Sequence, residues 1–328
     1  MPRWQHLFGP VASRRFGRSL GVDLMPSGRK RCTLDCVFCQ LGPTPTTTAE
    51  RSADVPIGDV LSELDAWRQS GSTADFVTLS GNGEPTLHPD FAQVFAWVRA
   101  HRPLRSLLLS NGSLFTLPEV RRDAAHADVV KLSLHAWDAD SYARLVRPHP
   151  SVEFEAVIDA YRQFRGEYTG ELVMEVFIVP GLNDEPVQID RMATLLAGMR
   201  PERIHLNTTA RPPADASVRA VSPTDLLVMA RRFKPVAETP EAPPPLSPTF
   251  NGKPARGDDE TAEAIIALVC RHPADLNTLA LESGYSETRT LALLLRLHRE
   301  ERISLTQTDG VWVAGPPPPP LIGLEPPG

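Results

Sequence analysis

Between residues 20 and 207 the chain alternates short apolar runs with longer segments whose apolar residues recur at helical spacing. The runs 20–24, 76–80, 106–110, 129–134, 172–179 and 204–207 have strand length, and 57–69, 91–101, 152–164 and 186–199 have helix length. Repeated β-α units predict a parallel sheet, and six of them predict a partial (β/α)6 barrel. Side chains alternate faces along a strand. Lys131, Ser133 and His135 therefore share one face, while Val130, Leu132 and Leu134 share the other. The same rule pairs Thr78 with Ser80 and His205 with Asn207, and isolates Glu175 among apolar neighbours. Polar faces on successive strands predict a lumen that holds a polar ligand, the alternative being ordinary hydrogen-bonded core polarity. Just after the strands come Gly81-Asn82-Gly83-Glu84, Asn111-Gly112, Asn183-Asp184 and Thr208-Thr209. That rim carries the chemistry in barrel enzymes.

Four cysteines in 328 residues exclude a disulfide scaffold, and three of them fall within eight positions. Cys32, Cys36 and Cys39 form C-x3-C-x2-C, a loop short enough to wrap one metal centre. Structural zinc takes four protein ligands, whereas a cubane iron-sulfur cluster on three cysteines leaves one iron open to a small molecule. A zinc site completed by His6 or His88 is the competing reading. Cys270, alone in an apolar helical segment, reads as a small buried hydrophobe.

The triplet, with an aromatic residue, Phe38, immediately before its third cysteine, resembles the signature of the radical S-adenosylmethionine superfamily. Gly81-Asn82-Gly83-Glu84-Pro85 is similar to that family's glycine-glycine-glutamate motif, in the expected order one β-α unit later. The resemblance implies a [4Fe-4S] cluster on Cys32, Cys36 and Cys39, with S-adenosylmethionine on the open iron and its adenine near Phe38. Gly81, Asn82 and Gly83 would approach the ligand and Glu84 would bind its ammonium. Ser110 and Asn111 resemble the segment that contacts the methionine carboxylate, and Ser133 the ribose-binding position; turn formation or capping is the plainer alternative for these three. The implied activity is one-electron reductive cleavage of S-adenosylmethionine to a 5'-deoxyadenosyl radical that abstracts hydrogen from substrate, fed by a reductant such as flavodoxin or ferredoxin. No general acid or base is assigned. Residues 7–212 further resemble a branch of iron-sulfur oxidoreductases related to wybutosine-tRNA synthesis enzymes, which leaves RNA, peptide and small-molecule substrates open. A radical-installing activase is a third reading, and an auxiliary cluster is not expected with Cys270 alone.

Composition then divides the chain. The expected domains are 1–233, a barrel of radical S-adenosylmethionine type; 234–258, a proline-rich linker; 259–315, a small winged-helix domain; and 316–328, a proline-rich tail. The winged-helix expectation rests on three helix-like stretches followed by two short apolar runs around Asp309-Gly310, with Ser286 capping the third helix. Residues 256–315 hold ten acidic against six basic side chains, which argues against DNA binding and for protein contact or a substrate lid. A zinc-binding winged-helix regulator is the rival from another functional class. Near the N-terminus Arg3, Arg14, Arg15, Arg18, Arg29, Lys30 and Arg31 face Asp23 alone in sequence, an arrangement suited to phosphate binding or to internal carboxylate pairing. The formal net charge of −6 gives no global nucleic-acid footprint. No uncharged apolar run approaches the ~18 residues that span a bilayer, and 1–10 lacks a signal-peptide core, so a cytoplasmic protein with no membrane partner is expected.

Overall fold

The computed structural model describes residues 4–13, 15–26, 29–240, 258–271, 273–283, 285, 287–308 and 311–317. The chain divides into two compact units, 4–249 and 250–328, the latter grouped with residues 1–3.

The first unit opens with β1 (Leu7–Ser13) and β2 (Gly17–Val22), followed after the cysteine loop by α1 (Ile57–Gln69) and β3 (Phe76–Leu79). Next come α2 (Ala92–Ala100), β4 (Arg105–Ser110), α3 (Pro118–Ala124), β5 (Val129–Ser133), α4 (Ala139–Val146) and α5 (Phe154–Glu167). β6 (Glu171–Phe177), α6 (Pro186–Met199), β7 (Arg203–Asn207) and α7 (Pro223–Ala230) complete it. One sheet runs β1 to β7 in sequence order, parallel from β2 to β7. That is the expected six-stranded α/β partial barrel, with antiparallel β1 added at the edge of β2. Sequence reading passed over β1 because Gly9-Pro10 interrupts it. The pairing accommodates the interruption as an irregularity between Phe8 and Val11.

Alternation along the strands builds two separate cores. Leu20, Val22, Val77, Leu79, Leu108, Val130, Leu132, Met174 and Leu206 pack outward against helical residues such as Trp67, Phe95, Tyr161 and Phe164. The opposite face forms a smaller cluster of Phe16, Phe76, Leu107, Val129 and Val173, an apolar floor inside the barrel. Each such side chain, fully buried, contributes about 1.5–3 kcal/mol. Lys131 and Ser133 continue the Val129 face, as Glu175 and Phe177 continue that of Val173, so the polar set stands above this floor as alternation predicts.

The barrel edge extends past residue 233. Glu238 lies in the stretch expected as linker, yet its NH donates to the Ile204 carbonyl (2.7 Å) and its carbonyl accepts from Leu206 (2.8 Å), adding a bridge to β7. The proline-rich 241–257 and tail 318–328 lie outside the described residues, as do Arg3, Arg14, Ser286 and the Asp309-Gly310 turn.

The second unit contains α8 (Asp258–Arg271), β8 (Ala274–Asp275), α9 (Leu276–Ser283), α10 (Glu287–Arg299), β9 (Ser304–Thr308) and β10 (Val311–Gly315). Its antiparallel sheet has the order β8-β10-β9. The element order is consistent with the winged-helix expectation. Two-residue β8 was too short to leave a periodic signal. Cys270 on α8 is only half-buried, not the fully buried hydrophobe its neighbours predicted.

Candidate functional site

The cysteine loop leaves β2 and docks on two partners through its backbone. On one side Asp35 and Val37 donate to the carbonyls of Val146 (2.9 Å) and Leu145 (3.0 Å) at the end of α4. On the other, Arg31 NH donates to the Asn82 carbonyl (2.9 Å), and Glu84 NH donates to the Arg31 carbonyl (2.9 Å). Gly83 makes that approach possible: its φ is 148°, and a Cβ there would fall 1.6 Å from the Arg31 oxygen. Gly81, at φ 142°, leaves similar room for the Asp23 carboxylate, which accepts from Asn82 NH (3.2 Å) and Asn82 Nδ2 (2.9 Å). The glycines were expected to admit a ligand. In the structure they admit the cysteine loop and Asp23, and the Asn82 side chain is spent on Asp23.

Glu84 is buried at 2% exposure and ties the end of β3 to the end of β4. Its Oε1 accepts from Thr86 NH (3.1 Å), Thr86 Oγ1 (2.6 Å) and Ser110 Oγ (2.7 Å), and its Oε2 accepts from Asn111 NH (2.7 Å). Burial raises this carboxyl above its ordinary value, and those four hydrogen bonds oppose the rise. Asn111 turns toward the loop: its Nδ2 donates to Thr33 Oγ1 (2.9 Å) and lies 3.4 Å from Cys32 Sγ. Ser110 Oγ is engaged by Glu84, and Ser133 sits at the end of β5. Tyr161 on α5 joins these strand ends by donating to the carbonyls of Asn111 (2.9 Å) and Ser133 (2.8 Å). Phe38 stacks on Phe177 at 4.4 Å and meets His135 edge-on at 4.8 Å. His135 is held down at about 4, chiefly by burial, and its Nδ1 accepts from Phe177 NH, so the ring is neutral.

The three thiols are close enough to act on one another. Burial first, then Glu84, pushes Cys32 up to about 11; burial, then Cys39 and Cys32, pushes Cys36 well above the usual thiol value. At Cys32 and Cys36 the free thiol therefore stays protonated, and binding to a metal centre is what would deprotonate it. Two nitrogen donors already address the sulfurs: Asn111 Nδ2, and Lys30 Nζ at 3.2 Å from Cys39 Sγ. The Tyr142 hydroxyl is buried beside Cys36, Cys32 and Glu84 with no hydrogen-bond partner among the described residues. Thiolates, nitrogen donors and an orphaned hydroxyl together fit an anionic iron-sulfur cluster.

A structural zinc needs a fourth protein ligand. Among the described residues no group of three or more His, Cys, Asp or Glu, the cysteine triplet included, is arranged to hold a metal ion. A tetrahedral zinc with Zn–S near 2.3 Å needs thiolates within about 4 Å of one another, tighter than thiolates on separate irons of a cubane. His88 contributes nothing to such a site, since its ring nitrogens are used by the Val55 carbonyl (2.8 Å) and Asp90 NH (3.1 Å). His6 is anchored through its backbone NH to Glu63 (2.8 Å), just before β1.

Below the mouth lies a charged lumen. Lys131 Nζ donates to Glu175 Oε1 (2.7 Å), Asn207 Nδ2 donates to the same oxygen, and Arg15 NH1 donates to Asn207 Oδ1 (2.9 Å). His205 is fully buried beside Phe16, and both ring nitrogens lack a hydrogen-bond partner among the described residues. Burial and the nearby Arg15, Lys131 and Arg203 depress it to about 2, so its 3.6 Å approach to Glu238 is no ion pair. Several N-terminal basic residues are engaged internally: Arg31 with Asp54 (2.6 Å), Arg18 with Thr73 (2.8 Å), Arg15 in the lumen. Sequence reading missed Lys30 as a cysteine neighbour, and missed Thr33, Tyr142 and Tyr161 altogether. A lone lysine, threonine or tyrosine carries no spacing signal.

Residues 29–193 match the Radical SAM superfamily. A UPF0026 protein of Helicobacter pylori strain J99 is 35% identical over 209 residues, covering 63% of this chain and 67% of that protein. A protein of Brachyspira hyodysenteriae named GTPase Obg is 26% identical over 307 residues, covering 94% of this chain. This chain spans 44% of that protein's length and contains no G-x-x-x-x-G-K-[ST] run. Among solved structures, a radical SAM methyltransferase from Sphaerobacter thermophilus shares the fold at TM-score 0.50 and 20% identity, over 67% of this chain and 65% of that one.

Proposed function

The chain belongs to the radical SAM superfamily, whose members use a [4Fe-4S] cluster and S-adenosylmethionine, and from that premise we propose that Cys32, Cys36 and Cys39 hold the cluster. When bound, the cluster and S-adenosylmethionine supply one-electron cleavage to methionine and a 5'-deoxyadenosyl radical, which takes hydrogen from a substrate. The observation that carries this reading is the stitching of the cysteine loop to the glycine-rich turn through Arg31, Asn82 and Glu84. It brings the thiols and a buried carboxylate to one mouth, at the C-terminal ends of parallel strands.

Each residue then has a defined task. Glu84 accepts from the ammonium of the methionine moiety, with Ser110 and Asn111 aligning its carboxylate. Gly81, Asn82 and Gly83 hold the turn that presents Glu84, while Asn111 reaches from β4 to the loop. Ser133 faces the ribose. Phe38, braced by Phe177 and His135, lies beside the adenine and helps exclude water. Lys131, Glu175 and Asn207 line the lumen beneath and favour a polar substrate, for which RNA, peptide and small-molecule classes all remain in range. The partner that delivers the electron is a flavodoxin- or ferredoxin-like protein. The C-terminal unit, acidic in balance, serves protein contact or covers substrate.

No helix among the described residues is long and apolar enough to cross a membrane. A cytoplasmic location is proposed on the oxygen sensitivity of such a cluster. The deciding experiment is anaerobic purification and reconstitution with iron and sulfide. Brown protein that releases 5'-deoxyadenosine when given S-adenosylmethionine and dithionite is expected. A colourless protein that binds zinc, or a cluster that never cleaves S-adenosylmethionine, would overturn the assignment.

A further inference from the structure

We propose that Lys30 is a positioning residue that sets the reduction potential of the cluster, through its contact with the sulfur of Cys39. This inference rests on the cluster assignment above and adds the means by which the chain makes the electron easier to accept.

The geometry is direct. Lys30 Nζ lies 3.2 Å from Cys39 Sγ, and a second hydrogen bond, to the Gly42 carbonyl, fixes its position on the loop. Lys30 is half-buried, so its charge is screened less than that of an exposed lysine. The charged groups acting on the neighbouring sulfurs divide sharply. Glu84 and Asp35 oppose negative charge on Cys32 and Cys36, whereas Lys30 favours it at both.

Reduction adds one electron to a centre already surrounded by thiolates. A nearby cation stabilises the reduced form more than the oxidised one, and an N–H donor to a ligating sulfur withdraws electron density in the same direction. Glu84 beside Cys32 and Asp35 beside Cys36 would each drive the potential down, and an ammonium touching a ligand sulfur holds it up. Arg29 and Arg31 flank Lys30 in sequence but do not replace it: Arg29 is exposed, and Arg31 is committed to Asp54 and the Glu50 carbonyl.

The test is an anaerobic redox titration of reconstituted full-length protein, following the EPR signal of the reduced cluster. Lys30→Gln keeps a donor for Gly42 but removes the charge, Lys30→Met removes both, and Lys30→Arg keeps both. The expected result is a potential at least 59 mV more negative in Lys30→Gln, a tenfold harder reduction at one electron per 59 mV. Lys30→Arg should stay within half that shift. An unchanged potential in a Lys30→Gln protein carrying wild-type iron would overturn the inference. So would an equal shift in Lys30→Arg, or failure of both Lys30→Gln and Lys30→Met to load iron, because each would make Lys30 a loop strut. Wild-type protein that holds no cluster would instead remove the assignment on which the inference stands.

Discussion

Gly83 lies against the Arg31 carbonyl so closely that a Cβ on it would fall 1.6 Å from the oxygen, and its φ of 148° is one that other residues rarely adopt. Cys32 is the next residue after Arg31, so this contact determines where the cysteine loop begins. Gly83→Ala should therefore cost about 1–3 kcal/mol in backbone strain alone and displace the loop. The expected outcome is a lower unfolding temperature together with a large loss of bound iron after reconstitution. Wild-type iron content would show that the loop finds its place without the glycine.

Glu84 is proposed to bind S-adenosylmethionine, yet it also joins two strand ends. Glu84→Gln retains the shape but places an NH2 group against donors, and removes the charge that an ammonium would meet. Cluster loading is expected to persist while affinity for S-adenosylmethionine falls at least tenfold, or about 1.4 kcal/mol, measured by equilibrium dialysis. Unchanged affinity would leave Glu84 as a strut only.

The Lys131–Glu175 pair predicts a pH dependence. Burial alone would raise the Glu175 carboxyl, but the charge and hydrogen bond of Lys131 bring it below its ordinary value of 4.5. A depressed carboxyl contributes stability that is present above the unfolded-state value and lost as pH falls through the folded one. Lys131→Met leaves the burial penalty with less compensation, and the loss at pH 7 should be near the low end of the about 3–5 kcal/mol seen when a buried pair is broken. The deficit should shrink toward pH 4 as Glu175 protonates, and Lys131→Met with Glu175→Leu should recover most of it. Urea midpoints from pH 4 to 8 would check this; a pH-independent deficit would not fit.

His205 is depressed to about 2 and has two buried nitrogens without hydrogen-bond partners among the described residues. Leaving such groups unsatisfied costs about 1–3 kcal/mol. His205→Leu should consequently unfold no lower than wild type in a thermal melt. A fall of several degrees would mean that the imidazole nitrogens are hydrogen-bonded in solution.

Much of the barrel is legible in the sequence, and the elements that are not have specific physical causes. Helices 57–69 and 186–199 match the sequence expectation to the residue, because their apolar residues recur at helical spacing over their full length. β1 was passed over because Gly9-Pro10 reads as a break, and the pairing of Glu238 with β7 because it lies among prolines. The cysteine triplet stands out as a candidate metal site from spacing alone. The glycines beside it were legible as special positions, but not which neighbour they served.

The amino-acid order by itself determined most of the barrel's elements, the face each strand residue occupies and which three cysteines are candidates to share one centre, since these depend on periodicity and spacing over a few residues. Tertiary structure alone decided that Asn111 reaches Thr33 and Cys32, that Tyr161 joins the ends of β4 and β5, and that Arg31 lies against Gly83. Such partners stand tens of residues apart, as Asn111 and Thr33 do at 78. No local pattern encodes their meeting, which follows only once the sheet has closed and its cores have packed.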